Sequence, residues 1–176
     1  MAKIWKINNK EEEKLLRKKA AAFDFSKYAK KEINDLIKEM KETMIKADGI
    51  GLSANQIGKD MSFFVAQVPK IEQRGDSFVI TEQKFYAIFN PKIIKISKET
   101  LLMEEGCLSV PGGISGEVER PEKITLEGQD KNGKKLKIKA WGLLARVFQH
   151  EVDHLNGILF IDKCKKTKKT EKEIKI

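Results

Sequence analysis

The chain contains only two histidines, His150 and His154, and they stand four residues apart in Gln149-His150-Glu151-Val152-Asp153-His154. Four residues is close to one turn of an α-helix, so both imidazoles share a face. Glu151 directly follows the first of them. Two neutral imidazoles so placed can bind a divalent ion, and the carboxylate between them can act as general base towards a water on that ion. The competing reading is two core histidines satisfied by hydrogen bonds. It leaves a buried Glu151 without a partner, which is costly.

The flanking residues predict the helix that this chemistry needs. Leu143, Val147, His150 and His154 form one stripe, with Leu144, Phe148 and Leu155 beside it, and Asn156-Gly157 supplies a C-terminal cap. A helix apolar around most of its circumference is buried. A catalytic site of this kind takes three protein ligands and keeps one position open. A His-Glu-x-x-His endopeptidase would draw a glutamate from a helix downstream. The acids available there are Asp162, Glu171 and Glu173, in a short strand and a basic tail. Cys107 is the better third ligand. It sits in the glycine-containing stretch Glu105-Gly106-Cys107-Leu108-Ser109, and a thiolate binds zinc or ferrous iron strongly. Cys164, among lysines, reads as a partly exposed free thiol.

The remaining pattern predicts one α+β domain over residues 1–176, with mostly antiparallel sheets around the buried helix. Residues 1–25 form a variable N-terminal segment, in which the charged block 10–19 reads as a loop or short helix. An amphipathic helix follows, with Ser26 as candidate N-cap, Ile33, Leu36, Ile37, Met40, Met44 and Ala47 on one face, and Asp48-Gly49 as its stop. Residues 49–58 read as a loop of small residues. Strands are expected at 61–68, at 85–89 and 92–96 on either side of Asn90-Pro91, and at 158–161, with a turn at Arg74-Gly75-Asp76. Residues 101–110 read as extended, stopped by Pro111-Gly112-Gly113. Ile124 and Leu126 alternate with polar residues, as do Leu136 and Ile138 beyond Asn132-Gly133, a hairpin signal. Residues 163–176 form a lysine-rich tail, frayed or helical.

Composition excludes several classes. The chain is 40% hydrophobic and 35% charged, and no apolar run approaches the length of a membrane span. The N-terminus lacks the apolar segment of a signal peptide. Two cysteines do not make a disulfide framework and fit a reducing compartment. Net charge is +9. The lysines are spread along the whole chain and not interleaved with aromatics, so the charge reads as solubility and not as a polyanion stripe.

Three segments in this order, Gly49-Ile50-Gly51-Leu52-Ser53-Ala54-Asn55-Gln56, Glu105-Gly106-Cys107-Leu108-Ser109 and Gln149-His150-Glu151-Val152-Asp153-His154, resemble the signature motifs of the peptide deformylase family. The resemblance runs over about residues 33–162. Ser53 stands where the family usually has alanine, and Asn55 where it often has proline. Residues 10–17 replace a Pro-Asp-Pro-like turn. The resemblance implies a hydrolase that removes the formyl group from the N-terminal formyl-methionine of new polypeptides, releasing formate. It implies Cys107, His150 and His154 as metal ligands, Glu151 as general base, and the Gln56 side chain and Leu108 amide as donors to the developing oxyanion. It further implies one divalent metal per chain, ferrous iron in the cell, with zinc, nickel or cobalt able to substitute. Ile50, Gly51, Gly106, Leu143 and Val147 are the candidate substrate contacts. Expected partners are formyl-methionyl nascent peptides, with a transient ribosome contact, no specific nucleic acid and no membrane. The natural setting is a bacterial cytoplasm; an organelle or a phage-encoded copy is the alternative. The rival is a basic ribosome-binding module with a structural metal. Such a site usually takes four protein ligands, and it gives Glu151 no role.

Overall fold

Alternating strands and one thoroughly apolar helix solve the same problem, since each must bury a face against the other. The computed structural model describes residues 1–74, 77–164 and 166–169, and only the backbone for 70–74 and 77–82. Five strands form an antiparallel sheet in the order β1-β2-β3-β6-β7. They are β1 (Gly51–Ser53), β2 (Phe63–Arg74), β3 (Ser77–Ile96), β6 (Lys123–Gln129) and β7 (Lys135–Trp141). A second antiparallel sheet, in the order β4-β5-β8, contains β4 (Thr100–Gly106), β5 (Ile114–Pro121) and β8 (Thr167–Lys169). The helices are α1 (Lys10–Leu16), α2 (Lys30–Lys46) and α3 (Gly142–Leu155).

Helix α3 carries the histidines and touches strands of both sheets. Its Val147 and Phe148 pack with Ile124, Leu126 and Ala140 from β6 and β7 and with Phe64 and Ala66 from β2. The alternate residues of β2 face the other way. Phe63 and Val65 join Phe89 of β3 and meet Met40 and Met44 of α2. Sheet alternation therefore builds two cores, one under each helix. Each such side chain, fully buried, contributes about 1.5–3 kcal/mol.

Several elements differ from the sequence reading. Residues 49–58 are not a loop: they contain β1 and a 3-10 helix, Ala54–Ile57, ended by Gly58 at φ +77°. Residues 85–89 and 92–96 belong to one strand, β3. Asn90, at φ +49°, absorbs a register shift and binds both the N–H and the C=O of Phe23, at 2.7 and 2.9 Å. Strand β2 runs on through Pro69 to Arg74, while Gly75 and Asp76 lie outside the described residues. Helix α2 begins at Lys30, because Ser26 lies in a separate 3-10 turn capped by Asp24. The extended stretch ends at Gly106. Residues 107–110 form a turn closed by Val110 N–H to Cys107 O at 3.0 Å. Residues 158–161 are not a strand. Asp162 accepts from Leu159 N–H at 2.8 Å and turns the chain into a 3-10 helix, Phe160–Asp162. Part of the tail is ordered as β8, paired with β5, whereas Lys165 and residues 170–176 lie outside the described residues. The charged block forms α1, with Leu16 and Glu12 buried.

Candidate metal centre

The α-helical spacing of α3 puts the Nε2 atoms of His150 and His154 3.2 Å apart. The turn after β4 delivers Cys107 to the same point, with Sγ 3.1 Å from His154 Nε2. The three ligating atoms lie within 4.8 Å of one another and all three residues are buried. Burial pushes the Cys107 thiol up to about 12, and the nearby Glu151 carboxyl adds to the shift, against the Ser109 amide that favours the thiolate. Burial holds the His154 imidazole well below its usual range, hence neutral, and the neighbouring His150 acts in the same direction. A buried thiol beside two imidazoles is a donor set that one divalent cation completes, since the cation favours thiolate and neutral imidazole alike.

Glu151 is wholly buried, and neither carboxylate oxygen has a hydrogen-bond partner. Burial pushes its carboxyl well above the ordinary carboxylate range, against the pull of Arg120. A group so placed is expensive unless an absent partner or reaction uses it. Gly51 makes the room for it. A Cβ on Gly51 would lie 2.3 Å from Glu151 Oε1, and one on Gly49 would lie 2.8 Å from Leu108 Cδ1. Gly51→Ala is therefore expected to displace the Glu151 carboxylate, and on the general-base expectation drawn from the sequence it cuts turnover by about a hundredfold. Metal analysis of the purified variant should still give the wild-type content; wild-type turnover would show that Glu151 tolerates the displacement.

Gln56 ties the first two motifs together. Its Oε1 accepts from Ser53 N–H and Ser53 Oγ, both at 2.9 Å. Its Nε2 donates to Ser109 Oγ at 3.1 Å and lies 3.7 Å from Cys107 Sγ. Among the described residues the Leu108 N–H makes no hydrogen bond. Of the apolar candidates, Val147 lies wholly inside the core, while Ile50 and Leu143 are half-buried against it. Gly106, the last residue of β4, pairs with Ser115.

The larger part of the surroundings escaped sequence reasoning. Glu105 Oε2 lies 3.0 Å from His150 Nδ1, which leaves Nε2 facing the ligand triangle. Arg120 binds the same carboxylate through Nε at 2.6 Å and Nη2 at 2.9 Å, and Arg146 Nη1 also donates to it. Burial alone would raise the Glu105 carboxyl, but the hydrogen bonds from Arg120 and His150 hold it well below the ordinary range. Arg120 also reaches Asp153 at 2.6 Å. Asn55 Nδ2 donates to His154 O at 2.6 Å. The N-terminal segment is tied to the backbone of the two motif loops. Trp5 N–H binds Gln56 O at 2.8 Å, Ile7 N–H binds Ser109 O at 3.0 Å, and Lys6 Nζ donates to Leu108 O. The one available signal was positional: Glu105 and Asp153 each sit next to or near a ligand in the motifs.

The sequence profile of the polypeptide deformylase family matches residues 1–170. That extends the similarity over the N-terminal segment, beyond the 33–162 visible in the motifs. A chloroplast peptide deformylase 1B of Oryza sativa is 44% identical over 131 residues, 74% of this chain and 45% of that protein. A peptide deformylase of Halothermothrix orenii is 46% identical over 128 residues, 73% of this chain and 75% of that protein. Among solved structures, a Met-Ala-Ser-bound class I type b peptide deformylase of Acinetobacter baumannii superposes with a TM-score of 0.79 at 30% identity. The superposition covers 93% of this chain and 98% of that one.

Proposed function

We propose how this site works from the premise that the chain belongs to the polypeptide deformylase family. It is an enzyme, a peptide deformylase, that removes the N-formyl group from newly made polypeptides. The observation that carries the residue assignment is the buried Cys107–His150–His154 triangle beside a Glu151 carboxylate that the rest of the fold leaves unpaired.

In this reading Cys107, His150 and His154 hold one divalent ion, ferrous iron in the cell, with zinc, nickel or cobalt able to take its place. When bound, the ion supplies Lewis acidity to the formyl carbonyl and to a water. Glu151 takes the proton of the attacking water and passes it to the departing amine nitrogen, work suited to a carboxyl that burial has raised. The Leu108 N–H and Gln56 Nε2 donate to the oxyanion that develops on the formyl oxygen. Glu105 fixes the His150 ring. The Cys107 thiol and ferrous iron both oxidise, so the enzyme is expected to need anaerobic handling.

Strand β1 is an edge strand of its sheet. An extended peptide can pair its backbone with that edge, as in strand addition, and so bring its first residue to the metal. Ile50, Leu143 and Val147 are then the candidates for the place of the methionine side chain, with Gly51 and Gly106 as further substrate contacts. Residues 1–176 act as one catalytic domain, consistent with α3 touching both sheets. A bacterial cytoplasm and a transient ribosome contact fit an enzyme whose substrate is a nascent chain. Among the described residues no helix is long and apolar enough to cross a membrane.

Two measurements test the assignment. Anaerobic dialysis against a chelator is expected to remove about one ion per chain and abolish formate release, with restoration on adding one equivalent of iron, nickel or cobalt. Full activity after complete metal removal would overturn it. Gln56→Ala is expected to lower turnover by about 10²–10³-fold, the usual loss for one oxyanion donor, with one ion still bound. It also strands the Ser53 N–H and so lowers the melting temperature. Turnover within a few-fold of wild type would remove Gln56 from the mechanism.

A further inference from the structure

The five-stranded sheet has an outer face, turned away from α3. Its β1–β3 part is covered by α2, through the Phe63, Val65 and Phe89 cluster. Among the described residues no helix packs over the outer face of the part formed by the end of β3 with β6 and β7. Strand β7 turns Leu136, Ile138 and Ala140 inward to the core, so Lys135, Lys137, Lys139 and Trp141 point outward. The register sets Lys92 and Lys137 on either side of Glu127, Lys95 and Lys139 on either side of Thr125, and Lys123 opposite Trp141. Six lysines and one tryptophan therefore share a face with Glu127, which pairs with Lys137 at 3.1 Å, and Glu122 at the edge of the face lies 3.9 Å from Lys123. Lys92, Lys95, Lys135 and Lys139 have no ion pair among the described residues. Trp141 is 68% exposed and borders a groove of about 420 Å³ lined by Lys95, Lys123, Lys139 and Thr125 together with the apolar Ile96, Ile124 and Ala140. The lysines that look evenly spread in the sequence are gathered here by strand alternation, and they flank an aromatic ring.

We propose that this face binds a single strand of RNA, one base stacked on Trp141 and the backbone phosphates on the lysines of β3, β6 and β7. Alternate residues of a strand recur about every 7 Å, a spacing that an extended phosphate backbone can follow. An aromatic platform inside a basic groove is the arrangement that holds single strands without reading sequence. A second copy of the chain would bring its own positive charge. RNA, as the polyanion met by an enzyme of nascent chains, rests on the deformylase reading; the lysine and tryptophan geometry does not.

The test is fluorescence anisotropy of a labelled rU12 RNA with the metal-loaded enzyme over a salt series. Wild type, Trp141→Ala and the pair Lys95→Gln/Lys139→Gln are compared, and each is assayed for deformylation of a short formyl peptide. Trp141→Ala should weaken binding at least about fivefold with little change in salt slope. The lysine pair should reduce the log–log slope by about 1.4, at 0.7 per phosphate contact. Deformylation should stay at the wild-type level throughout, so a failure of the RNA proposal leaves the deformylase reading standing. A duplex RNA of the same length should bind more weakly and ignore Trp141. Absence of rU12 binding, or binding that Trp141→Ala leaves unchanged, overturns the proposal. So does equal binding to deca-glutamate or to anionic lipid vesicles, which would make the face a protein or membrane contact.

Discussion

Replacing Glu151 by glutamine is expected to lower deformylation by about 10²–10⁴-fold, with metal content unchanged. Glutamine keeps the volume and burial of Glu151 but cannot take a proton from water. By geometry neither oxygen has a hydrogen-bond partner, and burial outweighs the pull of Arg120 and of the Ser53 hydroxyl on its charged form. Its removal should therefore not lower the metal-free melting temperature, because an ionisable group buried without a partner stabilises nothing. The combination is diagnostic: activity falls, the ion stays and the fold is intact. Loss of the ion together with activity would instead make Glu151 a ligand. Retained activity would leave its burial unexplained.

Glu105→Ala is expected to be the most damaging substitution for stability, at about 3–5 kcal/mol. Glu105 is wholly buried and binds Arg120, Arg146 and His150 at once. Both arginines are 2% exposed, so alanine would leave two buried guanidinium groups without their shared anion. Chemical denaturation of the metal-free protein measures this directly; a change below about 1 kcal/mol would place the network among ion pairs of little net worth. The same variant should bind the ion about 10–100-fold more weakly, because His150 loses the partner that orients it. The pH dependence has a definite sign. The folded-state value of Glu105 is depressed, so its contribution is complete above the ordinary carboxylate value of 4.5 and is lost as the pH falls through the depressed value.

What was legible in the sequence was chemistry encoded at short range. The His150–His154 spacing puts two imidazoles on one helical face by helix geometry alone. The Asn132-Gly133 hairpin and the Asn156-Gly157 cap are likewise local. The network behind the ligands was not legible. Arg120 and Arg146 reach Glu105 from 15 and 41 residues away, through sheet pairing and helix packing. In the sequence Arg146 merely interrupts an apolar run. Gly51, a candidate substrate contact in the sequence, also leaves space for Glu151, which no local pattern reveals. The split of β3 into two strands followed from Asn90-Pro91, a break signal that the Phe23 backbone satisfies from outside the strand. The strand in the lysine-rich tail exists because β5 offers it an edge, and Lys168 meets Glu104 at 2.9 Å.

The most direct test is anaerobic hydrolysis of formyl-Met-Ala-Ser by the iron-loaded enzyme, with formate and the new free amine quantified together. Equal amounts of formate and intact Met-Ala-Ser are the predicted result, with both products lost in Glu151→Gln. Cleavage at an internal peptide bond without formate, or formate release that persists in Glu151→Gln, would contradict the account.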